Sequence, residues 1–297
     1  MCFVILHYIT LEDTKKCIDS IIEKIDVEEY RIVVVDNASP NDSGILLKDM
    51  YLDNSKIEVL IQNRNLGFAK GNNIGFSYAK KVFNSKFIVL LNNDTYLLQN
   101  NFYRIICDEY EENDFAVLGP RVYTPDGSIV NPARIQLMTL NELQEWEAFL
   151  KRHLFFNKIY LETLFMYVSK ICRTFIRFIL DRGLKDKKEA IDILEKKENV
   201  QLHGCCLVFS ERYYEKFDGL EDRTFLYGEE DILFARLLLN GLKSVYSPYL
   251  EIYHSEDAST NAVFAKKRLK RRFLYEKKLE SMKIMEEYIS EVYRESK

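Results

Sequence analysis

Two acidic stretches and one late histidine are the residues of this 297-residue chain best placed to do chemistry. Asn92-Asn93-Asp94 follows four apolar residues and opens a loop. A carboxylate there can reach a divalent cation that bridges two phosphates, because Mg²⁺ and Mn²⁺ favour oxygen ligands. Such a cation neutralises charge on a departing diphosphate. The same three residues also make an ordinary turn. Phe225-Leu226-Tyr227-Gly228-Glu229-Glu230-Asp231-Ile232-Leu233 places three acids at the start of an apolar-periodic helix. A helix dipole favours acids in the first turn. A carboxylate crowded by neighbours in a cleft also has a raised pKa, and it suits a general base that takes a proton from a hydroxyl. His254 ends a late strand, either as a structural residue or as a metal ligand partnering Asp94.

Two further clusters suit a nucleotide. Asp36 closes an apolar run and can accept hydrogen bonds from a pyrimidine imide or a ribose; the plainer alternative is an Asx turn or a helix N-cap. The 11-residue connector Asn63-Arg64-Asn65-Leu66-Gly67-Phe68-Ala69-Lys70-Gly71-Asn72-Asn73 leads into a helix. Its glycines allow close backbone approach, the helix start offers free N–H groups to an anion, and Arg64 and Lys70 add positive charge. A long surface loop is the alternative.

The elements that must hold these residues follow from periodicity. Apolar runs at 2–6, 31–35, 57–61 and 87–91 predict strands, and 11–24, 42–52 and 71–82 predict helices between them. Continuous β-branched strands separated by helices imply a mostly parallel sheet covered on both faces. Ligands in such sheets bind at the carboxyl ends of the strands, where Asp36 and Asn92-Asn93-Asp94 fall. Residues 141–200 are helical in pattern. Residues 202–209 return to strand, 229–240 to helix, 244–246 and 251–253 to short strands, and 262–295 to one or two charged helices.

Composition narrows the classes. A hydrophobic fraction of 47% supports a sizeable core, and a net charge of -4 argues against general nucleic-acid binding. The six cysteines lack CxxC spacing and read as reduced thiols. Met1 leads straight into the first strand, and no apolar run approaches the ~18 residues of a membrane span. The expectation is a cytoplasmic protein.

In order, Val33-Val34-Val35-Asp36-Asn37-Ala38-Ser39, Asn65-Leu66-Gly67-Phe68-Ala69-Lys70-Gly71-Asn72-Asn73, Leu91-Asn92-Asn93-Asp94, His203-Gly204-Cys205-Cys206, Phe217-Asp218-Gly219-Leu220, the acidic stretch and His254 resemble the family 2 glycosyltransferases, in their rhamnosyltransferase-like branch. The resemblance covers about residues 1–130 and 200–256. It implies an α/β GT-A fold, the Rossmann-like mixed sheet of nucleotide-diphospho-sugar transferases. That domain would span 1–256, with a helical insertion at 133–200 and a basic C-terminal helical extension at 257–297. By the same resemblance Tyr8 and Asp36 contact the donor base, and Arg64, Lys70, Gly71 and Asn73 cradle the nucleotide and its phosphates together with Asn93. Asp94 and His254 hold Mg²⁺ or Mn²⁺. Glu230 is the catalytic base, with Glu229 and Asp231 as neighbours one register away. The implied reaction moves a sugar, rhamnose by branch likeness, from a dTDP or UDP donor to a saccharide or lipid-linked acceptor in bacterial surface polysaccharide synthesis, with inversion. The sequence departs from the family at Asn92, where the first Asp of the Asp-x-Asp motif is expected. A sugar nucleotidyltransferase would carry a Gly-rich basic loop where this chain has His7-Tyr8-Ile9-Thr10-Leu11-Glu12. A scaffold subunit that binds a nucleotide sugar without turnover is the remaining alternative.

Two regions lie outside these motifs. Residues 154–180 mix aromatic and apolar residues with Lys158, Lys170, Arg173 and Arg177, which suits a peripheral contact on the inner face of the membrane; packing on the core or on a second subunit, a homodimer, is the alternative. Residues 266–278 are rich in Lys and Arg, suited to anionic headgroups or to a solvated face. Trp146, the single tryptophan, reads as a packing residue ahead of a sugar-stacking one.

Overall fold

The structure, a computed structural model, describes residues 1–168, 192–256 and 266–295. Elements follow the chain as β1 (Cys2–His7), α1 (Leu11–Lys24), β2 (Arg31–Asp36), α2 (Ser43–Met50), β3 (Ile57–Ile61), α3 (Phe68–Lys81), β4 (Phe87–Asn92), β5 (Thr95–Leu97), α4 (Phe102–Asn113) and β6 (Val117–Tyr123). Then come α5 (Leu140–Lys158), β7 (Lys197–Glu198), β8 (Cys206–Ser210), α6 (Glu211–Tyr214), α7 (Glu229–Leu239), β9 (Ser244–His254) and α8 (Lys267–Glu295).

The strands form one mixed sheet in the order β3-β2-β1-β4-β8-β6-β9-β5, with β7 also on β9. β3, β2, β1 and β4 are parallel, and β8 runs antiparallel between β4 and β6. Strand alternation sorts the apolar side chains onto two faces. Phe3, Ile5, Ile32, Val34 and Val89 pack against Cys17, Ile18 and Ile21 of α1, Leu47 of α2 and Phe102 and Ile106 of α4. Val4, Val33, Val35, Ile88 and Leu90 pack against Ala69, Phe76 and Ala79 of α3 and Leu233 and Leu237 of α7. A third cluster joins α5 and α8 to α7: Leu143, Leu150, Tyr275, Met282, Met285 and Ile289 bury Ile232. The helix bearing the three acids is thereby held between the sheet and the two helices of unfamiliar sequence.

Some elements differ from expectation. Ser244–His254 is one strand, not two: Pro248 falls where the register against β6 shifts, so the irregularity bends the strand without ending it. α3 starts at Phe68, before the predicted 71, because Gly67 ends the turn that launches it. The helical pattern over 141–200 does not run to its end, since Lys197–Glu198 pairs with β9 and Gln201 bridges to Arg134. Cys2, Cys17, Cys107, Cys205 and Cys206 are free thiols; Cys172 lies outside the described residues, as do Lys170, Arg173 and Arg177 of the amphipathic stretch. Among the described residues no helix is long and apolar enough to cross a membrane.

Candidate active site

The site gathers at the carboxyl ends of β1, β2 and β4. His7 and Asp36 are register partners across β1 and β2. His7 is fully buried: its Nδ1 lies 2.7 Å from Thr14 Oγ1 of α1 and its Nε2 2.8 Å from Ser43 Oγ of α2. Burial pushes its pKa down to about 4, so the ring is neutral at pH 7 and acts as a tie between two helices. Asp36 accepts hydrogen bonds from the amide of Ser39, three residues on, at 3.2 and 3.3 Å, and burial raises its pKa against them. A Cβ on Gly44 would sit 2.2 Å from Asp36 Cγ, so only glycine leaves room for that carboxylate at the start of α2. Tyr8 follows, half-buried.

The His7 shift has a measurable sign. Its folded pKa of about 4 lies below the ordinary ~6.5. Between those values the unfolded chain binds more protons, so this contribution is complete above pH ~6.5 and is lost as pH falls towards 4. Thermal melts should show the wild type losing about 2 kcal/mol more than His7→Gln between pH 7 and pH 5. Parallel losses in the two proteins would refute the assignment.

The connector is organised by Asn37. Its Nδ2 donates to Asn65 Oδ1 and to Gly67 O, each at 3.1 Å, and its Oδ1 accepts from Leu66 N at 2.8 Å. Gly67 has φ +82, and a Cβ there would lie 2.2 Å from Phe225 O, the carbonyl that accepts from Phe68 N at 2.8 Å. One short turn therefore joins the end of β2, the start of α3 and the loop before α7. Gly67→Ala combines a left-handed backbone with a collision against main chain and should destabilise by roughly 2–4 kcal/mol in urea unfolding; a change under about 0.5 kcal/mol, the surface-substitution range, would contradict this geometry. Arg64 and Lys70 are exposed beside the turn. Gly71 packs on Leu6, whose Cδ1 would be 2.5 Å from an added Cβ. Two asparagine carboxamides serve as ties: Asn73 Nδ2 donates to Leu220 O at 2.9 Å while its Oδ1 accepts from Leu220 N at 2.8 Å. Asn93 Nδ2 donates to Thr10 at 2.7 Å and Thr14 at 2.9 Å, fastening the turn after β4 to α1.

That turn carries Asp94 inward. β5 pairs with the end of β9, so Asp94 meets His254, with Oδ1 and Nε2 3.1 Å apart and both residues buried. The pair fits a divalent cation: bonds of ~2.1 Å at right angles put adjacent ligand atoms roughly 3 Å apart. The other ring nitrogen of His254, Nδ1, is buried without a hydrogen-bond partner among the described residues. Sequence reasoning assigned no role to His203, yet its ring stands 5.6 Å from that of His254. One ligand atom each from His203, Cys205 and His254 lies within 4.8 Å of the others. Burial holds the Cys205 thiol well above its ordinary range, so it faces the site uncharged.

The three acids separate by environment. Glu229 is buried and accepts from Thr224 Oγ1 at 3.0 Å; burial pushes its pKa up to about 7. Asp231 is buried beside Gln201, and burial followed by the Glu230 charge pushes it up to about 6. Glu230 differs: its side chain is 36% exposed, its Oε1 accepts from Gly204 N, and that oxygen lies 4.0 Å from His203 Nδ1. Of the three, Glu230 alone is open to an incoming hydroxyl, and His203 links it to the Asp94–His254 pair.

Comparison with known proteins gives the family and the fold. The sequence profile described as Glycosyl transferase family 2 matches residues 2–184, a span that includes Asp36 and Asp94 and stops short of Glu230 and His254. No match to a curated protein sequence is found. Among solved structures, S. aureus TarS 1–349 in complex with UDP-GlcNAc superposes with a TM-score of 0.55 at 12% identity, over 98% of this chain and 71% of that one. A longer S. aureus TarS chain gives 0.53 at 12% identity, over 86% of this chain and 36% of that one. GalNAc-T7 with UDP, GalNAc and Mn²⁺ gives 0.55 at 13% identity, over 87% of this chain and 43% of that one. The chain thus spans well under two thirds of the longer TarS chain and of GalNAc-T7. The shared architecture is the GT-A fold.

Proposed function

Since the chain belongs to the glycosyl transferase family 2, we propose that it is an inverting glycosyltransferase that takes a sugar from a UDP or dTDP donor and passes it to a saccharide or lipid-linked acceptor in bacterial surface polysaccharide synthesis. The observation that carries this reading is the buried Asp94–His254 pair at the sheet's carboxyl edge, joined through His203 to the partly open carboxylate of Glu230. The UDP-GlcNAc bound by TarS supports a UDP sugar as readily as the dTDP-rhamnose suggested by branch likeness.

In this mechanism the donor base lies against Tyr8 and Asp36, and Arg64, Lys70 and the start of α3 face the phosphates. Asp94 and His254 would hold Mg²⁺ or Mn²⁺, whose charge offsets that of the departing diphosphate. Glu230 takes the proton of the acceptor hydroxyl. The oxygen attacks the anomeric carbon opposite the diphosphate, the carbon–oxygen bond to the diphosphate breaks, and one displacement inverts the configuration. Gly204 N–H fixes Glu230 Oε1, while Oε2 makes no hydrogen bond among the described residues and is the oxygen that meets the hydroxyl.

A division into a transferase domain over 1–256, with an insertion at 133–200 and an extension from 257, is consistent with α5 and α8 packing together against α7. Exposed Phe155, Tyr160, Leu161, Leu164 and Tyr167 support a peripheral membrane contact, or a homodimer, in a cytoplasmic setting. The test of the donor site is thermal stability with UDP and dTDP, with and without Mn²⁺. Binding stabilises by mass action. A metal-dependent rise with one nucleotide is expected; no rise with either would sink the reading.

A further inference from the structure

Two helices that the family motifs leave out, α5 and α8, meet the motif strip that leads into α7. Trp146 of α5, Tyr227 of the loop before α7 and Lys278 of α8 converge on one spot. Lys278 Nζ lies 5.1 Å from the Trp146 ring centre and 5.3 Å from that of Tyr227. Next to it Lys277 Nζ lies 4.8 Å from the Phe225 ring, and about one turn further along α8 Ser281 Oγ donates to Leu226 O at 3.3 Å. α8 thus braces the strip 225–228, which ends where the catalytic helix begins.

Lys277 is paired with Glu280 at 2.7 Å. Lys278, half-buried between two aromatic rings, has no carboxylate at ion-pair distance among the described residues. Burial lowers its pKa, with the Glu230 and Asp231 carboxylates acting against that, and its contact with Tyr227, three residues before Glu230, sets it beside the start of α7. Glu230 turns instead to Gly204, and Asp231 to Gln201. A partly desolvated ammonium without a contacting anion calls for one, and two aromatic faces beside it suit the C–H face of a sugar ring.

We propose that Trp146, Tyr227 and Lys278 form an acceptor subsite for an anionic sugar. The ring lies on the aromatic faces, its phosphate or carboxylate pairs with Lys278, and its hydroxyl is presented to Glu230. The assignment deepens the transferase reading and rests on Glu230 being its base.

Trp146 is the only tryptophan, so occupancy reads directly in intrinsic fluorescence. The 297-residue chain is titrated with glucose 6-phosphate, glucuronate, glucose and inorganic phosphate, and UDP and dTDP melts with Mn²⁺ are run on the same samples. A saturable change with the first two is expected; a larger response to the phosphate ester or to the carboxylate identifies which anion the subsite takes. Glucose and inorganic phosphate should bind at least about tenfold more weakly, and Lys278→Met should weaken the anionic sugars by about tenfold, as for loss of one charged hydrogen bond. Lys278→Met should leave the nucleotide-dependent melt unchanged. Absence of an emission change with either anionic sugar would overturn the subsite, as would equal binding of glucose, equal binding of inorganic phosphate, or unchanged affinity in Lys278→Met. Loss of the nucleotide melt is a separate result that counts against the donor site alone.

Discussion

Glu230→Gln should lower sugar transfer by about 10²–10⁴-fold, the range for removing a positioned general base, while leaving nucleotide binding as it was. The amide keeps the size of the side chain and still accepts from Gly204 N through its oxygen, so the local structure persists. What it lacks is the capacity to take a proton. The neighbouring acids supply the controls. Glu229 is buried on Thr224 with a pKa pushed up to about 7, so its charged form is the unfavourable one inside the protein. A carboxyl whose folded pKa is raised contributes stability that is complete below its unfolded pKa of ~4.3 and is lost as pH rises through 7. Glu229→Gln should therefore retain transfer and melt higher than the wild type at pH 8. Asp231→Asn should behave similarly, with its window ending near pH 6. The comparison requires transfer rates and melts on all three variants. If Glu229→Gln loses transfer as deeply as Glu230→Gln, the base is misassigned by one residue.

The half of the sheet from β1 to β4 was legible in the sequence because its physics is local. Runs such as Arg31-Ile32-Val33-Val34-Val35 are too continuously apolar for anything but a strand covered on both faces, and a turn such as Asp36-Asn37-Ala38-Ser39 must follow where the run stops. Thr95-Tyr96-Leu97 is too short to stand out as a strand, yet it aligns Asp94 with His254. The single strand Ser244–His254 was hidden by Pro248, since a proline within a run argues against a strand unless a register shift accommodates it. The polar connector illustrates the opposite difficulty. Asn73 and Asn93 look like ligand-binding residues by type and place, and the fold takes up their carboxamides on Leu220, Thr10 and Thr14. His203 stood in a motif with no role attached to it, and Lys278 in a basic run that suited anionic headgroups or a solvated face. His203 is brought beside His254 by the crossing of two chain segments fifty residues apart, and Lys278 reaches Tyr227 only because Met282, Met285 and Ile289 dock α8 on α7. Such placements belong to tertiary packing and leave no periodic trace.

Asp94→Asn should remove the Mn²⁺-dependent part of nucleotide binding, weakening it by at least about 100-fold, since even loss of an outer partner of a metal ligand weakens affinity by ~10–100-fold. Asn92 stands where a second acid of the turn could have been, so the turn brings a single carboxylate to His254. Asparagine keeps the shape, and its Oδ1 can still accept a hydrogen bond from the His254 ring, while the main-chain bond from Ser255 N to Asp94 O at 2.9 Å does not involve the side chain. The melt without ligand should stay close to that of the wild type. With nucleotide and Mn²⁺ near 100 times the dissociation constant, the wild type gains about 2.7 kcal/mol, roughly 5–10 °C for a domain of this class, and the variant should show almost none of it. A wild-type-sized shift in Asp94→Asn would place the cation elsewhere. A lower melt without ligand would instead make Asp94 a structural partner of His254. His254→Gln separates the remaining possibility: retention of the metal-dependent shift in that variant, against its loss in Asp94→Asn, would make the carboxylate the essential ligand and leave the imidazole as its support.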